Sequence, residues 1–116
     1  MQQFKTKFPT GYDIPDPLND NIDMHVIVPE GKVFFATIFT LRNIQHLMDK
    51  LGMAYFSGAD MLILNDLMKE TIRIAITQII EADELDTALS EIGSIEAVYG
   101  TGKNYDNLVD ETILYN

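Results

Sequence analysis

Along residues 22–28, Ile22, Met24, Val26 and Val28 fall on one side and Asp23, His25 and Ile27 on the other, the two-residue period of a strand. Pro29-Glu30-Gly31-Lys32 has turn chemistry, with proline setting φ and glycine open to positive φ. Residues 33–39 follow as a second strand, so the pair reads as a hairpin. Both faces of this second strand are largely apolar (Val33, Phe35, Thr37, Phe39 against Phe34, Ala36, Ile38), which predicts a central strand covered on both sides, or covered on one side and used for contacts on the other. The period then changes. Leu41, Ile44, Leu47, Met48 and Leu51 recur at helical spacing behind Thr40 as N-cap, and Gly52 supplies the stop.

Residues 61–64 are too short and too apolar for a surface element and are expected as a third strand, ended by Asn65-Asp66. From Leu67, the residues Met68, Ile72, Ala75, Ile76, Ile79 and Ile80 mark one side of a helix reaching about Ala82. Its isoleucines lower intrinsic propensity, so packing has to hold it. Asp83 or its neighbour is expected to cap a shorter helix with Leu85, Ala88, Leu89 and Ile92 inside and Gly93 at its end. Residues 94–99 read as a fourth strand, and Ile113, Leu114 and Tyr115 as a closing one. The first twenty residues, with Pro9, Gly11, Pro15, Pro17 and Asn19, are expected to form an extended arm. The predicted order is arm-β-β-α-β-α-α-β. That implies one α+β domain over residues 1–116, a small mostly antiparallel sheet with three helices packed against it and an acidic segment at about 100–116.

Composition narrows what such a domain does. The chain has no cysteine, which excludes disulfides, thiolate catalysis and cysteine-held metals. Nearly half of it (47%) is apolar, enough to disfavour intrinsic disorder. No apolar run approaches the roughly 20 residues of a membrane span, and residues 1–13 carry no apolar targeting segment, so a cytoplasmic protein is expected. A net charge of −10 disfavours direct nucleic-acid binding. That charge is not evenly spread: residues 1–80 hold nine acids and seven bases, whereas residues 81–116 hold nine acids and only Lys103. Glu81, Asp83, Glu84, Asp86 and Glu91 fall within eleven positions and are the predicted partner-binding residues. Tyr55 and Phe56, beside Gly58, join them as aromatic anchors on a loop, with burial of the two rings under the sheet as the equal alternative.

Candidate chemistry is sparse. His25 shares a strand face with Asp23, and His46 stands three residues before Asp49, so either pair has the form of an acid-oriented imidazole. His46, however, lies off the apolar stripe and reads as solvent-exposed, and His25 reads equally well as a satisfied sheet residue. Gly100-Thr101-Gly102-Lys103 fails the phosphate-loop pattern at Ala97 and Asn104. Asp13, Asp16, Asp20 and Asp23 lack calcium-loop spacing. Nothing selects a carboxylate pair for glycoside chemistry. Met48, Met61 and Met68 are expected as core filling. No catalytic residue, metal or cofactor is therefore expected.

The runs Asp20-Asn21-Ile22-Asp23, Phe39-Thr40-Leu41-Arg42-Asn43-Ile44, Asp60-Met61 and Lys69-Glu70-Thr71-Ile72 resemble those of small bacterial proteins of this length, over about residues 13–80. In overall form, the short acidic α+β chain is similar to immunity proteins that neutralise polymorphic or contact-dependent toxins. The similarity is one of type, so no functional residue carries over from it. It implies a non-catalytic protein that binds a basic partner such as a cognate nuclease-type toxin domain. The alternatives are a homo-oligomeric structural or regulatory module, through residues 33–39 or Tyr55 and Phe56, and a small hydrolase using His25.

Overall fold

The computed structural model describes residues 3–113. Its elements run β1 (Lys5–Lys7), β2 (Asn21–Ile27), β3 (Lys32–Thr40), α1 (Leu41–Leu51), β4 (Met61–Leu64), α2 (Lys69–Glu81), α3 (Leu85–Ala88), β5 (Ser90–Ser94) and α4 (Ile95–Tyr99). The α+β class and the hairpin follow the sequence reading. β2 and β3 pair antiparallel from Asn21↔Phe39 to Ile27↔Val33. Gly31 takes φ 93° in the turn, and its N–H reaches the Val28 carbonyl at 2.9 Å.

β3 is interior along its whole length. β2 lines one edge, and the other is shared by β4, parallel to residues 37–40, and β5, antiparallel to residues 32–35 with a bulge at Val33/Phe34. On one face Ile22, Met24, Val26, Phe34, Ala36 and Ile38 meet Ile72 and Ile76 of α2, with Leu67 and Leu89. On the other, Ile27 and Val33 meet Ile95 of α4 and Leu108, with Val98, Tyr99 and Tyr105 around them. The first face of β3 is thus covered throughout, whereas the second is covered at Val33 and leaves Phe35, Thr37 and Phe39 half-buried. The described residues form four helices rather than three, and α2 and α4 lie on opposite faces of the sheet.

Several local expectations are corrected. The extended N-terminal arm does not merely lead into the domain: Lys5–Lys7 pairs with β2 (Lys5↔Ile27, Lys7↔His25) as an edge strand. The alternation of Phe4, Thr6 and Phe8, all buried, with Lys5 and Lys7 is a strand period in miniature, and edge lysines guard such a strand from further pairing. The helix expected over residues 84–92 stops at Ala88, and the strand expected at 94–99 is a helix. Ser94 caps α4, accepting from the Ala97 N–H at 3.1 Å, and Ile95, Val98 and Tyr99 at helical spacing turn to the second core. Gly93 thus lies in a strand at φ 143° rather than ending a helix. Asp83 caps nothing: it takes φ 55° in the turn leaving α2. Met68 and Ile92 are exposed, not core. Ile113 is exposed and lies in no strand, and Leu114 and Tyr115 lie outside the described residues.

α1 matches its prediction residue for residue. The Thr40 hydroxyl accepts from the Asn43 N–H at 3.0 Å, and Gly52 closes the helix at φ 65°, with its N–H toward Asp49 and Met48 carbonyls. Its packing is another matter. Asn43 is its one buried residue, held by Asn19 (3.1 Å) and Asn21 (2.9 Å), and none of its apolar side chains belongs to either core. Among the described residues, no helix is long and apolar enough to cross a membrane.

Candidate functional site

α2 ends at Glu81 with no basic residue in its last turn, then Ala82, Asp83 and Glu84 lead into α3, which carries Asp86. The backbone carbonyls at a helix C-terminus already make that end negative, so acids placed there repel it and one another. All four carboxylates are exposed, and among the described residues none of them forms an ion pair. Asp83 and Asp86 line a shallow recess of about 240 Å³ together with Glu30 of the β2–β3 turn, floored by Val28, Phe34 and Ile80. Glu81 instead borders a wider groove of about 1140 Å³ between α2 and the arm residues Tyr12, Ile14 and Pro17. The sequence carried no signal for that groove, because it depends on where the proline-rich arm returns across the helix.

The other predicted binding residues lie elsewhere. Glu91 sits on β5 with its carboxylate 3.8 Å from the Lys32 ammonium, so its charge is locally answered. Phe56 packs edge-on against Phe39 with ring centroids 5.2 Å apart, and Tyr55 beside it is 65% exposed. Phe39 and Lys32 are seven residues apart on β3, about 23 Å at strand rise. The aromatic pair and the acidic corner are thus at opposite ends of the sheet.

The acids near the chain's end divide. Asp106 is exposed, but Asp110 turns inward. Its Oδ2 lies 2.8 Å from Arg73 of α2, and its Oδ1 accepts from the Thr6 N–H (3.2 Å) and the Thr112 hydroxyl (2.6 Å). The Thr112 hydroxyl in turn accepts from Thr6 and Arg73, each at 2.7 Å. Burial alone pushes the Asp110 carboxyl up, but the Thr112 and Thr6 hydrogen bonds and the Arg73 charge outweigh it and hold it below its ordinary value. Glu111 accepts from the Phe8 N–H at 2.7 Å and pairs with Lys7 at 3.5 Å. These two acids fasten the last segment to β1 and α2 and leave the predicted outward surface.

His25 is buried, with its Nδ1 2.6 Å from the Tyr99 hydroxyl and its ring edge-on to Phe35 and Tyr99. Asp23 does not orient it, because that carboxylate accepts from the Thr37 hydroxyl at 2.9 Å. Burial drives the imidazole below its ordinary pKa, with Asp23 and Glu111 opposing and Lys7 assisting, and burial raises the Tyr99 phenol. Two neutral rings therefore share one hydrogen bond that ties α4 to β2. Neither recess described above is lined by His25. His46 is exposed on α1, and Asp49 accepts from Gln45 at 2.9 Å. Among the described residues, no three histidine, aspartate or glutamate side chains converge as a metal site. No protein-family model matches this chain, nor does any curated protein or any solved structure.

Proposed function

We propose that the chain is a non-catalytic binding protein that meets a basic protein surface with its acidic corner; its most concrete form is a cytoplasmic immunity protein covering a cationic nuclease-type toxin domain. The observation that carries this reading is the set of four exposed carboxylates, Glu81, Asp83, Glu84 and Asp86, unpaired around the negative end of α2. Folding gains nothing from that arrangement, since it opposes the helix dipole. Association does gain, because a concentrated negative field steers a basic partner and speeds its encounter. A nuclease surface is basic because it holds phosphates, so an acidic cover competes directly with its substrate.

The test measures the rate at which the chain associates with a basic, nuclease-type protein domain that it binds. Replacing the four acids by their amides is expected to lower the association rate at least about tenfold and to flatten its dependence on salt. Glu91→Gln alone is expected to change the rate little, since Lys32 already answers that charge. Unaltered kinetics in the fourfold variant would reject the acidic corner as the interface. The alternative of a small hydrolase finds less support, because the His25 Nδ1 is occupied by Tyr99 and walled by rings.

A further inference from the structure

We propose that α1 is a self-association helix: two copies of the chain pair through their α1 helices, antiparallel and across a two-fold axis. This goes beyond the partner reading above and uses a different surface. α1 starts where β3 ends, at Thr40, whereas the acidic corner lies beside the turn where β3 begins.

Three observations support the pairing. First, α1 keeps a strong apolar stripe that the chain itself does not finish covering. Leu41 is 60% and Leu51 61% exposed, Ile44, Leu47 and Met48 are half-buried between them, and no side chain of the stripe enters either core. An eleven-residue helix in water is marginal without a packed face. Secondly, the stripe is its own complement. Leu41, Ile44, Met48 and Leu51 occupy the a, d, a and d positions of two heptads and are placed symmetrically about His46. An antiparallel two-fold therefore sets Leu41 against Leu51 and Ile44 against Met48, each apolar position meeting an apolar one.

Thirdly, the charge layout favours a second copy over a foreign helix. The excess of acid in this chain of net −10 lies after residue 80, whereas α1 carries Arg42 and Lys50 against Asp49 alone. Those three and His46 fall at b, c and f, on the outside of such a pair, while the flanking e and g positions are Gln45, Leu47, Gly52 and Ala54. No like charges are forced together at the seam. With Tyr55, 65% exposed just beyond the helix, Leu41 and Leu51 offer roughly 400 Å² of exposed surface, about half of the roughly 800 Å² that each side of a stable dimer buries. The half-buried stripe residues add to this, which places the pair at the small end of protein interfaces.

Sedimentation equilibrium of the whole chain, run as a concentration series, tests this. The expected mass rises from 13.1 kDa toward twice that value, and added salt should favour the dimer by screening the repulsion between two chains of net −10. Leu41→Lys with Leu51→Lys is expected to weaken the dimer at least about tenfold while the circular dichroism spectrum and the monomer's thermal midpoint hold, since both side chains are exposed in one copy. The cysteine-free chain also allows a test of orientation. Leu41→Cys plus Leu51→Cys should give a disulfide-linked dimer on mild oxidation, and Leu41→Cys alone should not. A chain that stays monomeric at several hundred micromolar, a dimer indifferent to the lysine pair, or efficient linkage through Leu41→Cys alone would each overturn the proposal. The first would leave α1 as a seat for another protein. The fourfold amide variant of the acidic corner should dimerise as the unaltered chain does, so the two readings fail separately.

Discussion

α1 and α2 are the two long helices, and they reverse what their sequences suggest. α1 has a side-chain N-cap, a left-handed glycine stop and an unbroken apolar stripe, yet it buries only Asn43. α2 has no side-chain cap and ends against its own acids, yet Ile72 and Ile76 are fully buried between it and the sheet. Local signals determine whether a helix forms and where it stops. They do not say whether its apolar face meets the same chain. α2 is held by a core into which it contributes about 1.5–3 kcal/mol per buried isoleucine, α1 by its caps and by three asparagines.

The contrast can be broken most directly at Ile76. Ile76→Ala is expected to cost about 2–5 kcal/mol in denaturant unfolding, whereas Leu51→Ala on α1 should fall within about 0.5 kcal/mol at concentrations where the chain is monomeric. Equal losses would mean that α1 is packed as tightly as α2. Next in size is Arg73→Ala, expected to cost about 2 kcal/mol because it leaves Asp110, with its side chain 10% exposed, facing Thr6 and Thr112 without its counter-charge.

The same region predicts two separate acid steps. His25 has a depressed folded pKa, so its contribution is complete above about pH 6.5 and is lost as pH falls through the folded value. Asp110 is likewise depressed, so its contribution is lost below about pH 4. A thermal midpoint measured against pH should fall in both ranges; His25→Gln should remove the upper step and Asp110→Asn the lower. A single step surviving both substitutions would contradict these assignments. Thr40→Ala should cost less than either core change, about 1 kcal/mol through the lost cap bond, and should leave α2 protected from hydrogen exchange while α1 exchanges faster.

Much of the fold is legible in residue order, and the misses have local causes. The hairpin, β4 and both long helices follow from periodicity and turn chemistry. Residues 84–99 misled because Leu85, Ala88, Leu89 and Ile92 satisfy a helical spacing, while β3 offered an open edge opposite β2 at residues 32–35 that only a strand could fill. Pairing there took Ser90–Ser94, and Ser94 was left to cap the helix that follows. At the candidate site, Glu81, Asp83, Glu84 and Asp86 are as outward as their place off the apolar stripe implied. Glu91 is also exposed and differs only in being paired, with Lys32, whereas Asp110 and Glu111 turn inward because Arg73 and Lys7 arrive from distant parts of the chain.

By itself, the sequence determined β2, β3, β4 and the two long helices, the ends of α1, the β2–β3 turn and the concentration of acid after residue 80, because each depends on neighbours within a few positions. Tertiary structure alone decided that β3 is shared between β4 and β5, that Asp110 is a buried anchor rather than surface charge, and that the best-formed helix stands outside both cores. Those outcomes depend on which long-range pairings satisfy backbone hydrogen bonds and buried charges at once. No short-range pattern encodes that competition.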